Sequence, residues 1–341
     1  MRFLLTTDPG LEDLLEEEIG DRVAGSVDVE RVAEAPGVVI VEVPAVDRLL
    51  RLGMVYHVTE IRAESRACDL DELREALGNA AFDELAEATS FRVSSTCAGG
   101  THLDRMDVER AGGAVLVGRY GTTVDLSEFE VNVRVDIYGS RLIAGVQQTR
   151  RSLGNRIERG KALRSSLKPT LAVAMLRLAG AHRGRGRLID PMCGAGVIPV
   201  EAVRLNPELV VEASDWDPET VEVACATFAN HEIAVEPRVV DARLLGVDHA
   251  AAFDYIVTDP PYGLRQARRT GLTALYRSLL RSFAGALRPG GRLVMIVVKY
   301  RVFLAALEES GLRVKTERAI ASTGIQPRIY VLEREPSAGS G

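Results

Sequence analysis

The amino-acid sequence predicts an α/β fold, a parallel sheet wound with helices on both faces, behind an α+β leader. Three observations predict it. From Gly186 onward, short β-branched runs alternate regularly with stretches of helical periodicity, the pattern of a parallel sheet. Before residue 150 the strands and short helices follow one another without that alternation. Four successive strands of the second half also close on an aspartate: Asp190, Asp215, Asp241 and Asp259. That carboxyl end is where ligands sit in open α/β sheets.

Composition bounds the rest. A chain of 341 residues, 46% hydrophobic and 26% charged, is too long for one core and suggests two or three domains. No run approaches a membrane span, and Met1-Arg2-Phe3-Leu4-Leu5 soon turns acidic, so neither a membrane segment nor a signal peptide is expected. The cysteines Cys68, Cys97, Cys193 and Cys225 form no C-x-x-C pair. A zinc site is therefore not expected, and reduced thiols in the cytoplasm are. Net charge is −6, unevenly spread: residues 1–150 hold 15 Lys and Arg against 28 Asp and Glu, and residues 151–341 hold 27 against 20. Two basic stretches stand out. Residues 141–187 carry twelve Lys and Arg with the single acid Glu158, and residues 264–292 carry seven arginines and no acid. Surface solvation is the ordinary use of such runs, but a polyanionic substrate fits them too.

In order, the leader reads as a strand over 2–7, an acidic helix over 11–19 with Leu11, Leu14, Leu15 and Ile19 on one face, and a strand over 38–43. A short helix over 46–52 and a strand over 55–63 follow. Helices over 70–76 and 82–87, a strand over 91–95, a helix near 104–112 and strands over 131–137 and 141–147 complete it. Residues 148–168 are polar, basic and weakly periodic, as a linker is, and Pro169 opens a helix where its missing donor costs nothing. The regular part then predicts strands over 187–190, 210–214, 235–240, 253–258 and 291–298, and a closing antiparallel pair over 312–320 and 328–333. Helices lie between, from 194 onward and over 218–229, 272–287 and 301–310. The Ser/Gly-rich tail from Pro336 is expected to be disordered.

Asp259-Pro260-Pro261-Tyr262 is the most informative stretch. Two consecutive prolines cannot continue a ladder, so a carboxylate, a rigid turn with exposed carbonyls and an aromatic ring stand together at a strand end. This suits attack by a flat aromatic amine, whose lone pair is delocalised into its ring. The Asp259 carboxylate and Pro260 carbonyl can accept both N–H bonds, while Tyr262 stacks on the base. A Pro-Pro turn that merely ends a core strand is the alternative for these residues taken alone.

A second motif, Asp190-Pro191-Met192-Cys193-Gly194-Ala195-Gly196, runs from the first regular strand into a helix. Its glycines allow close backbone approach, and the helix start supplies donors. A dinucleotide loop would want a third glycine where Pro199 stands. Asp215 is placed to take two ribose hydroxyls, Trp216 to cover a purine, and Asp241 with Ala242 to meet an adenine amino group. Cys193 has no neighbour that would activate it and reads as packing.

Asp190 to Gly196, Ser214 to Asp217, Asp241 and Asp259 to Gly263, in this order, resemble S-adenosylmethionine-dependent class I methyltransferases acting on exocyclic amines. Leu163 to Ala172, joined to that loop, resembles the THUMP-domain RNA guanine-N2 methyltransferases. The resemblance implies a ferredoxin-like region over 1–65, a THUMP RNA-binding domain over 66–147, a basic linker over 148–168 and a seven-stranded Rossmann-like methyltransferase domain over 169–335, with the tail 336–341. It implies S-adenosylmethionine as cofactor, held by Asp190, Met192, Gly194, Ala195, Gly196, Asp215, Trp216, Asp241, Ala242, Lys168 and Pro169, with Asp259, Pro260 and Tyr262 catalytic and no metal. The expected partner is RNA, with transfer RNA guanosine 6 or 10 first, met by Arg151, Arg156, Arg265, Arg268 and Arg269; a monomer is expected. An acidic leader is unusual for an RNA binder, so its contacts would be local. A ribosomal RNA methyltransferase, a DNA amine methyltransferase, a nucleotide-dependent oxidoreductase and a catalytically silent RNA-binding protein remain as alternatives.

Overall fold

The computed structural model describes residues 1–23, 27–157, 167–261, 271–321 and 326–334. They divide into two units, Met1–Leu153 and Gly154–Gly341.

The first unit runs β1 (Arg2–Thr6), α1 (Glu12–Arg22), β2 (Val29–Arg31), β3 (Val38–Glu42), β4 (His57–Arg66), α2 (Leu70–Asn79), α3 (Glu84–Glu87), β5 (Ser90–Ser94), β6 (Cys97–Ala98), α4 (Arg105–Tyr120), β7 (Thr123–Val124), β8 (Val131–Tyr138) and β9 (Arg141–Gln147). These strands form one sheet in the order β2-β3-β1-β4-β9-β8-β5-β7, with β6 beside β8. The antiparallel β4–β9 pairing, Thr59 opposite Gln147 through Arg66 opposite Arg141, carries the sheet across the division expected at residue 65. Leu73 and Leu77 of α2 and Leu116 of α4 share one core with Phe91, Val133 and Val135 of the sheet, all fully buried.

Several expectations are corrected here. The helix expected over 46–52 is a single 3-10 turn, Leu49–Arg51. The helix expected to stop near Gly112 continues to Tyr120 and ends at Gly121, whose φ of 72° makes it the true cap. Gly112 serves close packing instead: a Cβ there would come within 3.2 Å of Leu77 and 3.4 Å of Val93. The three short strands β2, β6 and β7 carry too few residues to show an alternating pattern.

The second unit runs α5 (Pro169–Ala179), β10 (Gly186–Asp190), α6 (Val197–Leu205), β11 (Leu209–Asp215), α7 (Pro218–Asn230), β12 (Arg238–Val239), α8 (Leu245–Asp248), β13 (Phe253–Thr258), α9 (Leu272–Ala286), β14 (Leu287–Val297), α10 (Tyr300–Leu307), β15 (Leu312–Ala319) and β16 (Arg328–Arg334). The sheet order is β12-β11-β10-β13-β14-β16-β15. β12 to β14 are parallel neighbours, and β16 is inserted antiparallel between β14 and β15. The strand expected over 235–240 shrinks to two residues, because Pro237 withholds a donor beside it. Strand order reverses between β10 and β13, and that switch point is where the aspartate loops leave the sheet. Beneath it Phe253, Ile256, Tyr276, Leu280, Phe283 and Phe303 form a closed core, with the Tyr276 and Phe303 rings edge to face at 5.7 Å. No helix among the described residues is long and apolar enough to cross a membrane.

Candidate active site

Asp190 closes β10 and is 1% exposed. Its Oδ1 accepts from the Thr258 hydroxyl at 2.7 Å and from the Met192 N–H at 3.2 Å. Burial pushes this carboxyl up to about 8, against the pull of those two donors, and Asp215 and Asp259 nearby add to the rise. Asp215 closes β11 and is 7% exposed. It accepts from Gly194 N at 3.1 Å and Asp217 N at 3.2 Å, so it holds the loop between β10 and α6 from the neighbouring strand. Its pKa is raised too, mainly by burial.

The two loop glycines do different work. Gly194 has a φ of 54°, and nothing lies within 4 Å of where a Cβ would be, so its missing side chain leaves open space. Gly196 has a φ of 83° at the start of α6, and a Cβ there would meet the Phe228 ring at 2.4 Å. Gly196 is a packing glycine; it stands outside the cavity wall that Gly194 helps to form. That cavity is lined by Leu167, Asp190, Met192, Gly194, Ala195 and Asp259, among others. The catalytic turn expected after β13 and the glycine loop after β10 therefore face one space. Pro260 is buried and Pro261 exposed. Tyr262, Arg265, Arg268 and Arg269 lie outside the described residues.

The remaining expected residues are placed less uniformly. Trp216 is 57% exposed beside Asp215. Asp241 gives its carboxylate to Arg243, which donates from Nε at 2.9 Å to each oxygen and from its backbone N–H at 2.9 Å. These contacts hold its pKa below the usual range. It lines a groove with Leu244, Val247 and Arg281. Ala242 is buried, and its carbonyl accepts from Ser282. Lys168 is the exposed N-cap residue of α5, and Pro169 is its buried first residue.

The basic stretches are partly consumed within the fold. Arg156 donates to the buried Glu201 at 2.9 Å, Arg288 pairs with Asp254, Arg277 with Glu309, and Arg292 donates to Ala179 O. Arg156, expected to meet RNA, is thus a structural cation, while Arg151 is exposed. Two residues that sequence reasoning passes over also stand at the site. Thr258 is the bond partner of Asp190, and Tyr276 is a fully buried tyrosine whose hydroxyl has no hydrogen-bond partner among the described residues. Burial, with Asp259 as the second influence, pushes Tyr276 up to about 12. A hydroxyl at the strand end, straight after the apolar Ile256 and Val257, is the one signal that could have marked Thr258.

Comparison with known proteins agrees with this architecture. The RMKL-like methyltransferase domain family matches residues 156–328, and the THUMP domain family matches residues 67–145. A tRNA (guanine(6)-N2)-methyltransferase of Thermus thermophilus is 36% identical over 96% of this chain and 98% of its own length. One of Archaeoglobus fulgidus is 27% identical, covering 97% of this chain and 92% of that one. The crystal structure of TrmN from Thermus thermophilus superimposes with a TM-score of 0.87 at 34% identity, over 98% of this chain and 100% of that one. The strand order, the loop glycines, the D-P-P-Y motif of the sequence and these matches together place the chain in the family of THUMP-domain RNA (guanine-N2)-methyltransferases.

Proposed function

We propose that the protein transfers a methyl group from S-adenosylmethionine to the exocyclic N2 of guanosine 6 in transfer RNA. One observation carries this reading: Asp190, Gly194 and Asp259 line the same cavity, so a cofactor loop and an amine-binding turn face each other. The activity named for the Thermus and Archaeoglobus relatives supports the choice of position 6.

The residues fit the cofactor. The described wall of the cavity carries the carboxyls of Asp190 and Asp259 and no basic side chain, which suits a cation and repels a pyrophosphate. Gly194 leaves room for close approach. When bound, the cofactor supplies an electrophilic methyl group on a sulfonium centre. Asp190, Met192, Gly194 and Ala195 would hold it, with Asp215 fixing the loop from below and Trp216 offering an exposed ring beside it. The Asp259 carboxylate and Pro260 carbonyl accept the two amine N–H bonds and so turn the nitrogen lone pair out of conjugation. Tyr262 stacks on the base in this reading. Positioning and electrostatics supply the rate, because little else is asked of the protein in an in-line displacement.

The test is transfer to a transfer RNA transcript with guanosine at positions 6 and 10, followed by mass mapping of the nucleosides. N2-methylguanosine should map to position 6 and vanish when that base is adenosine. Modification at another position, or none with a folded protein and cofactor present, would overturn the assignment.

A further inference from the structure

β10 and β13 are neighbours across the switch point, in register through Ile189 opposite Ile256. β10 leads into the glycine loop and β13 into the Asp259 turn, so the chemistry depends on how those two departures are held relative to each other. Between them, among the described residues, a buried side-chain bond runs from Thr258 Oγ1 to Asp190 Oδ1 at 2.7 Å, joining residues 68 apart in sequence. Thr258 is 0% exposed, and the residues before it, Ile256 and Val257, are equally buried and apolar. Packing alone would be served by valine at this position, so the hydroxyl is the distinctive feature.

We propose that Thr258 is a positioning residue that ties the glycine loop to the catalytic turn through Asp190. The inference rests on the methyl-transfer reading above. Asp190 Oδ1 is the node: it takes the Thr258 hydroxyl from one strand end and the Met192 N–H, at 3.2 Å, from its own loop. Asp215 repeats the arrangement one strand along, taking Gly194 N. Two strand-end carboxylates thus hold the loop at Met192 and at Gly194, and the first of them also takes the residue before Asp259. The Thr258 donor also favours the ionised form of Asp190, which a cationic ligand would prefer. The groups working against ionisation are burial and the carboxylates Asp215 and Asp259, on β11 and on the turn after β13. Cys193, the other titratable side chain of the loop, is a thiol that burial pushes up.

Three substitutions test this, each checked for folding by thermal melting. Thr258→Val keeps the shape and removes the donor. It should raise the dissociation constant for S-adenosylmethionine about tenfold, the scale of one hydrogen bond to a charged group. It should lower turnover at saturating cofactor and RNA by a similar factor. Affinity for the cation should rise with pH as Asp190 ionises, and in this variant that rise should move to higher pH. Thr258→Ser should restore all three. A folded valine variant with wild-type affinity, turnover and pH profile would overturn the proposal, as would a serine variant as impaired as valine. If the valine variant does not fold, Thr258→Cys, a weaker donor of similar size, is compared with serine against the same expectations. Failure of the wild-type protein to bind S-adenosylmethionine in calorimetry would instead overturn the methyl-transfer reading, and this inference with it.

Discussion

Asp136 and Asp190 are equally hidden, each 1% exposed, yet their surroundings are opposite. Asp136 lies within β8 of the first unit and has a cation of its own. Arg134 donates to it from Nε at 3.3 Å, and Thr96 N donates at 2.7 Å. Asp190 ends β10 of the second unit and meets two neutral donors, with two further carboxylates near it. Burial raises both carboxyls above their ordinary value; at Asp136 the Arg134 cation opposes the rise, and at Asp190 only neutral donors do. The difference separates an acid that belongs to the fold from one that belongs to a site. A buried carboxyl answered by its own guanidinium is internally complete. One answered by hydroxyl and amide alone keeps a preference for positive charge that a ligand can satisfy.

The comparison breaks first at the turn that faces Asp190. Asp259→Ala should fold and bind cofactor yet lose transfer by about 10²–10³-fold, since its acceptor matters chiefly when the amine attacks. Single-turnover transfer to a transfer RNA transcript reads this directly. Near-normal rates would make the Pro-Pro turn structural and move the chemistry elsewhere.

The structural acid gives the next effect. Arg134→Met leaves Asp136 buried without its cation and should cost about 2–3 kcal/mol of stability. That is below the loss for a wholly buried pair, because the Arg134 side chain is 20% exposed. Denaturant unfolding measures it, and cofactor affinity should not move. If affinity fell while stability held, the contrast between the two acids would be wrong. Asp215→Ala should show the mirror image. It removes the acceptor of Gly194 N, so S-adenosylmethionine binding should weaken by about 1.5–3 kcal/mol in calorimetry; unchanged affinity would remove Asp215 from the site.

How much of this is legible in the sequence follows from the same contrast. An acid at the end of an apolar strand is conspicuous because a core has no use for it, and Asp190, Asp215 and Asp259 stand out for that reason. Asp241 stands out by the same rule, yet spacing alone does not reveal that Arg243, two residues on, takes its carboxylate. The loop glycines are equally visible, but only the fold separates Gly194, beside open space, from Gly196, under the Phe228 ring. Thr258 and Tyr276 are hidden because threonine is an ordinary strand former and a tyrosine ring an ordinary core residue. Where their hydroxyls point is a tertiary fact. Counting arginines likewise cannot show that Arg277, Arg288 and Arg292 each meet a partner within their own unit.

The remaining substitution discriminates most finely. Asp190→Asn keeps the shape and the oxygen that accepts from Thr258 and Met192, but it cannot ionise. In the unfolded chain this carboxyl loses its proton above about 4, whereas in the fold it keeps it until about 8. Between those values the unfolded state has released a proton that the folded state still holds. Wild-type stability should therefore fall as pH rises through that window and level off above it. The substitution removes this slope. The melting temperature of Asp190→Asn should stay close to wild type at pH 5 and exceed it increasingly toward pH 8, while S-adenosylmethionine binding weakens. A gain in stability with a loss of affinity is what a site residue shows when the fold bears the cost of a buried acid that a cationic ligand offsets. Asp136→Asn differs in leaving the Arg134 cation facing a neutral amide, a cost that Asp190→Asn does not carry. If Asp190→Asn lost stability at pH 8, Asp190 would belong with Asp136 among the acids of the fold.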